Sequence, residues 1–354
     1  MTREFTVVAI IAAFNEEDII GQVVGHLVDQ GVAVYLLDHG STDATVAEVK
    51  PFLGRGLLEI ETFSDRSGVT PSDAGQFSWE SLLRRKEALA RELDANWFIH
   101  HDADEFRESP WAHLGLRDAI HAVDTLGYTA IDFELFNFWP THDRFRKGDD
   151  VRDAFAFYEL GQPWDKRQVK CWKKLAPVDL VTSGGHDVAF EGRRVFPLRF
   201  ILRHYPIRSQ AHGRRKVFHE RRPRFVEAER ARGWHVQYDA IDDDHQFLRD
   251  PGTLTRYDAD AARLRLCLEH REVEDLRQRL EALRQKLEAH EQAANASERS
   301  AAALRREVEQ KDRDVDSLRR ELGTAHDRLE ALYASRSWRW VAPLRAVMRL
   351  LRGE

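Results

Sequence analysis

W-F-I-H-H-D-A-D-E-F, residues 97–106, is the stretch on which the predicted fold depends. Its apolar beginning predicts a buried strand, which runs into Asp102 and Asp104 with one residue between them. Because residues two apart on a strand share a face, both carboxylates can bind one divalent cation at the end of that strand. A D-x-D pattern also arises by chance in a chain that is 32% charged, and a solvated strand end is the alternative.

Strand and helix patterns alternate along the chain that precedes this stretch. Continuous apolar runs predict strands, and apolar residues at helical spacing predict helices: strands at 6–13, 32–37 and 57–63, helices at 19–28, around 46–49 and at 79–93. Such alternation predicts an open α/β sheet, in which ligands bind at the carboxyl ends of the strands. Polar clusters at 15–17, 38–43 and 102–105 follow three of these strands, so we expect them to converge on one edge.

Three segments carry a resemblance to a known family: A-A-F-N-E-E at 12–17, L-D-H-G-S-T-D at 37–43 and H-D-A-D-E-F at 101–106. In order and spacing they resemble the family 2 glycosyltransferases, over roughly residues 5–135. The resemblance implies the GT-A fold, a Rossmann-like open mixed sheet flanked by helices, which binds a nucleotide-sugar. His39 departs from the family pattern, which has a second acid at that position.

The resemblance also implies a donor site in this part of the chain. Asp104 would ligate Mn²⁺ or Mg²⁺ directly, and Asp102 would face both the ribose and the metal. Lys86 stands where family members often have a basic residue, and a solvated helix face is the alternative there. The other residues implied to bind the nucleotide-sugar are Phe14, Asn15, Glu17 and Asp38, the last through the base or the ribose.

Further metal and phosphate ligands are predicted in the second half of the chain. A strand at 200–207 contains His204, which the resemblance implies as a third metal ligand. A lone histidine is more often a satisfied core or surface residue, which is the alternative. Arg208 and Lys216 follow in a basic run that can clamp a diphosphate. An aromatic-rich segment at 128–139 predicts one more strand.

The predicted general base also comes from this second half. An inverting transfer needs an acid or a histidine that takes the proton of the acceptor hydroxyl. In the family this base usually follows the D-x-D pattern by eighty to ninety residues, and Asp187 fits that window. His186 and Asp165 are the reserves.

A heptad repeat begins at Val273 and continues to Leu332, with apolar residues at alternating steps of three and four. His290 and Ser297 interrupt it, so its middle is weak. The repeat predicts a coiled coil over 263–332 that joins copies of the chain into a homo-oligomer. One long solvated helix is the alternative.

The tail at 333–354 has a different pattern. Trp340, Leu344 and Val347 fall on one helical face, and arginines fall on another. A basic amphipathic helix of this kind lies on anionic lipid, and docking onto a partner protein is the alternative. The tail also resembles that of bacterial polysaccharide-assembly glycosyltransferases.

Composition argues against several other classes of protein. A net charge of −6 is too small to indicate a nucleic-acid partner. Cys171 and Cys267 are isolated, without metal-ligand spacing or a disulfide framework, and fit a reducing compartment. The apolar run at 7–14 is too short to span a membrane and leads into acids rather than a cleavage site. We therefore expect a cytoplasmic protein with peripheral contact at the inner face of the cell membrane.

Taken together, the patterns predict a metal-dependent, inverting glycosyltransferase that moves a sugar from a nucleoside diphosphate to a hydroxyl of a cell-surface glycan precursor. A sugar nucleotidyltransferase is one alternative, although segment 12–17 lacks the Gly-rich phosphate loop that such enzymes normally show. A catalytically inactive scaffold that acts through its coiled coil is the other. The predicted domains are a GT-A domain at 1–262, with a nucleotide half at 1–135 and an acceptor half at 136–262, the coiled coil at 263–332 and the tail at 333–354.

Overall fold

The computed structural model describes residues 4–63, 78–161, 167–224, 229, 234, 241–268 and 271–352. Packing divides the chain into two units, Met1–Asp275 and Leu276–Glu354. The domain boundaries predicted at 262 and 332 stay predictions.

Strands and helices alternate through the first part of the larger unit, as the sequence predicts. They are β1 (Val7–Ala13), α1 (Ile20–Asp29), β2 (Ala33–Asp38), α2 (Thr45–Val49), β3 (Leu57–Thr62), α3 (Trp79–Glu92) and β4 (Trp97–Asp102). The four strands are parallel and lie in the order β3-β2-β1-β4. β1 and β4 are buried along nearly their whole length, as expected of parallel strands covered on both faces.

The chain after β4 completes this sheet and builds a second one. Its elements are β5 (Glu105–Glu108), α4 (Leu116–Thr125), β6 (Ala130–Ile131), β7 (Phe133–Phe138), α5 (Val151–Ala154), β8 (Phe157–Leu160), β9 (Cys171–Lys173), β10 (Phe200–His204), α6 (Gln210–Arg214), a π-helical turn (Arg215–Arg221), β11 (Thr255–Arg256) and α7 (Ala259–Leu268). β9 pairs antiparallel with β4 and with β6, so the first sheet is mixed and has the order β3-β2-β1-β4-β9-β6. The second sheet has the order β11-β8-β7-β10-β5.

The single strand predicted at 128–139 is wrong, because the chain changes sheets in the middle of it. β6 belongs to the first sheet and β7 to the second, and Asp132 lies between them. The buried Asp132 carboxylate accepts hydrogen bonds from the Gln168 backbone N–H at 2.8 Å and from the Arg199 guanidinium at 3.2 Å. A buried acid requires such partners, which local periodicity does not reveal. The break lets β7 pair with β10, which ends at His204.

Two apolar clusters pack around the first sheet. Because strand residues alternate between faces, Val7 and Ile11 of β1 enter the cluster that contains α1 and α4. Val8 and Ile10 enter the cluster that contains α3. Close packing on both faces holds the strands in place, so the polar residues that follow their carboxyl ends have defined positions.

One helix, α8 (Arg271–Ala334), makes up most of the second unit and runs for 64 residues. The weak middle of the heptad repeat, around His290, does not interrupt it. α9 (Arg336–Trp340) and α10 (Ala342–Arg352) follow. The predicted fold class, an open mixed α/β sheet flanked by helices and followed by a long helix, is confirmed.

The apolar heptad residues of α8 are exposed in the single chain, with Leu318 at 63% and Leu322 at 72%. Their pairing in a coiled coil therefore stays a prediction. Within the described residues, no helix combines the length and the apolar character that crossing a membrane requires.

Candidate functional site

The carboxyl ends of three neighbouring strands meet at one edge of the first sheet. In the parallel register, Ala13 of β1 pairs with Asp38 of β2, and Ala12 pairs with Asp102 of β4. The polar segments that follow these strands therefore lie next to each other. These are the segments predicted to bind a nucleotide-sugar donor.

Asn15 joins three parts of this edge. Its φ of 55° is the left-handed value that asparagine tolerates better than most residues. Its backbone N–H donates to the Ser41 hydroxyl at 3.0 Å, and its side-chain oxygen accepts from the Thr42 N–H at 2.8 Å. Its side-chain amide donates to Glu220 in the π-helical turn at 3.2 Å. Asn15 thus organises the predicted nucleotide edge through bonds to the protein itself.

Phe14 is half-buried and lies beside two other groups that suit a nucleobase. The His39 ring meets it edge to face, with 6.4 Å between ring centroids. The Arg224 guanidinium carbon lies 3.6 Å from the Phe14 ring centroid, and Nη2 of the same group contacts His39 Nδ1. Aromatic rings with a stacked guanidinium form a surface that can hold a planar base. The sequence reasoning missed Arg224, which is 210 residues from Phe14 and belongs to no motif.

Asp38 and Glu17, two of the acids predicted to bind the nucleotide, already have protein partners. Asp38 is buried at the end of β2 and accepts from the Ser41 N–H at 3.2 Å. Glu17 accepts from the Ala44 N–H at 3.2 Å and pairs with Lys147 at 3.0 Å. Asp38 therefore shapes the turn after β2, whereas Glu17 keeps part of its side chain at the surface.

Asp102, the first acid of the D-x-D pattern, ends β4 with 30% of its side chain exposed. Its carboxylate lies 3.2 Å from the ammonium of Lys170, which is buried and also contacts Glu105 at 3.1 Å. Burial alone would raise the pKa of Asp102, but the charge of Lys170, together with smaller contributions from His100, Lys86 and Arg107, holds that pKa well below its usual range. Lys170 is 68 residues from Asp102, and no sequence motif pointed to it.

Asp104, the second acid, is buried between a lysine and a histidine. Its Oδ2 lies 2.7 Å from the Lys216 ammonium, and its Oδ1 lies 3.5 Å from His204 Nε2. Burial alone would raise the pKa of Asp104, but Lys216 and His204 hold it well below its usual range. Burial alone would lower the pKa of His204, but the Asp104 charge raises it. Asn137 fixes the histidine ring, with its side-chain oxygen 2.7 Å from Nδ1.

Arg208 lies fully buried, and each of its guanidinium nitrogens has a protein partner. Nη2 contacts Glu16 at 2.5 Å and Asp18 at 2.7 Å, Nε donates to Asp18 at 2.9 Å, and Nη1 donates to the Tyr205 carbonyl at 3.1 Å. The structure therefore uses Arg208 to hold the turn after β1, which leaves it poorly placed to clamp a diphosphate.

Lys86 of α3 is buried, so the alternative of a solvated helix face is wrong for it. Its ammonium lies 3.0 Å from His100 Nδ1 and donates to the His101 carbonyl at 2.9 Å. Burial lowers the pKa of Lys86 to about 7. Lys86 supports β4 immediately before Asp102, whose Oδ1 lies 3.9 Å from His100 Nε2.

The predicted general bases have different environments. Asp187 is ion-paired with Arg167 at 3.2 Å and with Arg193. The two guanidinium groups contact different oxygens of this carboxylate. His186 is exposed, with Nδ1 3.3 Å from the side-chain amide of Gln168. Asp165 lies outside the described residues.

The predicted metal shell of Asp102, Asp104 and His204 is only partly assembled. Asp104 and His204 are in contact, but each acid already has a buried lysine as its cation. Among the residues that the structure describes, no group of three or more His, Cys, Asp or Glu side chains could hold a metal ion. In this arrangement the donor set does not fit a divalent cation.

No protein-family model matches the sequence, and no curated protein matches it. One similar solved structure is S. aureus TarS 1–349 in complex with UDP, at 13% identity and a TM-score of 0.30, over 48% of this chain and 47% of that one. Another is the mannosyltransferase PcManGT from Pyrobaculum calidifontis in complex with GDP-Man and Mn²⁺, at 18% identity and a TM-score of 0.28, over 37% of this chain and 36% of that one. The chain thus spans less than half the length of each. Similarity at this level carries no argument about function, and the fold class rests on the strand order.

Proposed function

We propose that the chain is a nucleotide-sugar-dependent glycosyltransferase of the GT-A type, which moves a sugar to a hydroxyl of a cell-surface glycan precursor. The observation that supports the proposal is the convergence of the motif residues at one sheet edge. Glu16 follows Phe14 and Asn15 directly, and Lys216 bridges Glu16 to Asp104, so the aromatic surface and the acids belong to one site. An aromatic surface suits a nucleobase, and charged groups beside it suit ribose hydroxyls and phosphates.

The transfer is proposed as a single displacement with inversion. The acceptor oxygen attacks the anomeric carbon, the bond from that carbon to the diphosphate oxygen breaks, and its electron pair leaves with the diphosphate. A base takes the hydroxyl proton. Of the described candidates, His186 is better suited than Asp187, because Arg167 and Arg193 already occupy the two oxygens of the Asp187 carboxylate. The sequence pattern also predicts assistance by Mn²⁺ or Mg²⁺, which the lysine partners of both acids do not favour.

A thermal-shift panel of UDP, GDP, dTDP and CMP tests the donor site. Free ligand at 100 times its Kd stabilises the folded state by about 2.7 kcal/mol. For a domain of this size, we expect one nucleotide to raise the Tm by about 5–10 °C. The nucleoside that carries the same base is the matched control for a ligand without phosphates. An unchanged Tm with every nucleotide would contradict the donor site and favour the alternative of a catalytically inactive scaffold.

We propose that α8 joins copies of the chain through its exposed heptad residues. Leu318→Glu places a charge in the predicted apolar seam, whereas Ser317→Glu places the same charge outside it. Light scattering on the full chain should show an oligomer for the parent and for Ser317→Glu, and a lower molar mass for Leu318→Glu. Equal masses for all three chains would contradict pairing through this seam.

We propose that the tail brings the site to a lipid-linked acceptor at the inner face of the cell membrane. Trp340 and Leu344 are exposed, at 86% and 70%, on the helices that carry the tail arginines. Sedimentation of the chain with anionic vesicles, with and without residues 333–354, tests this part of the proposal. Equal binding by both forms would contradict it.

A further inference from the structure

Lys216 occupies the position between two acids at which a cation is needed. Its ammonium lies 2.7 Å from Asp104 Oδ2 and 3.0 Å from Glu16 Oε1. Its side chain is only 6% exposed, so solvent screens these contacts weakly. Glu16 follows β1 and Asp104 follows β4, and the π-helical turn delivers Lys216 between them. The second acid of the D-x-D pattern is therefore neutralised by a group of the chain itself.

A divalent cation would have to compete with this arrangement. One oxygen of Asp104 contacts Lys216, and the other faces His204 at 3.5 Å. A metal ion on either oxygen would lie within a few ångströms of the buried ammonium, and like charges repel strongly in a poorly screened environment. Removing the lysine from between the two acids would take away the one cation that bridges them within the described residues, which is unfavourable for buried carboxylates.

The first acid of the D-x-D pattern, Asp102, also has a buried lysine as its partner. Lys170, also buried, contacts Asp102 at 3.2 Å and Glu105 at 3.1 Å. Each acid of the pattern thus shares a buried lysine with another acid. Two lysines from different parts of the chain thus contact the four acids of this cluster.

We propose that Lys216 takes the place of a divalent metal, so that the donor diphosphate binds and departs without one. The inference rests on the proposed function. An ammonium has three N–H donors, and within the described residues Lys216 uses two of them, which leaves one for a phosphate oxygen. The exposed parts of Asp102 and His204, 30% and 27%, mark the side from which the donor reaches this cluster. When the carbon–oxygen bond breaks, the electron pair goes to the diphosphate, and Lys216 stabilises that charge.

The test measures binding of the nucleoside diphosphate identified by the panel, by calorimetry on the full chain, in EDTA and in millimolar Mn²⁺. We expect the parent to bind equally well in both. Lys216→Met should weaken binding in EDTA by about 10- to 100-fold, the contribution of one charge-assisted hydrogen bond. Mn²⁺ should restore binding to this variant, because its acids have lost their ammonium. Lys216→Arg should bind nearly as well as the parent, and Lys174→Met, an exposed lysine that donates to the Arg91 and Leu93 carbonyls, is the control.

Three outcomes would overturn the inference. Parent binding that requires Mn²⁺, or that Mn²⁺ strengthens by more than about tenfold, would show a metal site and leave the proposed function standing. The measurements on the parent chain detect a metal requirement even if the Lys216→Met variant fails to fold. Unchanged binding by a folded Lys216→Met in EDTA would show that the lysine has only a structural role. Absence of binding by every nucleotide, with and without metal, would overturn the proposed function itself.

Discussion

Arg208→Met is expected to lower the free energy of unfolding by about 3–5 kcal/mol, the usual effect of removing one member of a buried ion pair. Arg208 is fully buried, and its guanidinium contacts both Glu16 and Asp18. Methionine fills most of the volume but leaves these two carboxylates without a cation that reaches both. Urea unfolding followed through the buried Trp97 and Trp172 measures the change.

Arg144→Met is the matched control, because Arg144 is exposed. We expect it to change the free energy of unfolding by less than about 0.5 kcal/mol. If Arg208→Met also stays within about 1 kcal/mol of the parent, the network does not stabilise the fold as the contacts imply.

The contact between Arg208 and Asp18 also predicts how the free energy of unfolding depends on pH. Burial alone would raise the pKa of Asp18, but the charge and the hydrogen bond of Arg208, with smaller contributions that include Lys216, lower that pKa below the ordinary value of 3.8. A carboxyl whose pKa is lowered by folding stabilises the folded state above its unfolded pKa, and this stabilisation is lost as pH falls through the folded pKa. Below pH 3.8 the parent should therefore lose more stability than Arg208→Met, which lacks the main cause of the lowered pKa.

If the proposed function holds, Asp104→Asn is expected to lower the rate of sugar transfer by about 10²- to 10³-fold, the usual effect of removing one preorganised electrostatic contact. Asparagine keeps the shape of the side chain but removes the charge that holds Lys216 and His204. Lys216 would then be held by Glu16 alone, and its position toward the departing diphosphate would be less defined. Transfer is measured as release of the nucleoside diphosphate from the donor that the thermal-shift panel identifies.

Asp118→Asn is the control for this change, because Asp118 is an exposed acid of α4 that pairs with Arg117 at 2.9 Å. It should transfer sugar at the parental rate. The Tm of each variant separates lost chemistry from lost folding. A folded Asp104→Asn with activity within about tenfold of the parent would exclude an essential role for the second acid.

The strands and helices that could be predicted from the sequence are those that produce a pattern of apolar residues within a short segment. The continuous apolar run at 6–13 predicts β1, which spans Val7–Ala13. The run before Asp102 predicts β4, which ends at that residue. Regular spacing of apolar residues likewise predicts α3, which buries that face, and α8, whose apolar residues are exposed in the single chain. The position of the D-x-D acids at a strand end follows from the same local pattern.

The elements that could not be predicted depend on contacts between distant residues. The break at Asp132 requires Gln168 and Arg199, which lie 36 and 67 residues away. The burial of Lys86 requires His100 and the chain at His101. A lysine on a charged helix has the same local pattern whether it lies in solvent or beneath a strand, so the sequence alone leaves both possibilities open.

The sequence by itself determined the order of strands and helices as far as β4, the edge at which the polar segments meet, and the presence of a long C-terminal helix. Those features follow from short-range periodicity and from the parallel register that alternation implies. Only the tertiary structure decided which charges meet at that edge. Lys216 reaches Asp104 across 112 residues and Glu16 across 200, and Lys170 reaches Asp102 across 68. Ion pairs between distant residues produce no periodic pattern in the sequence, because only folding brings their partners together.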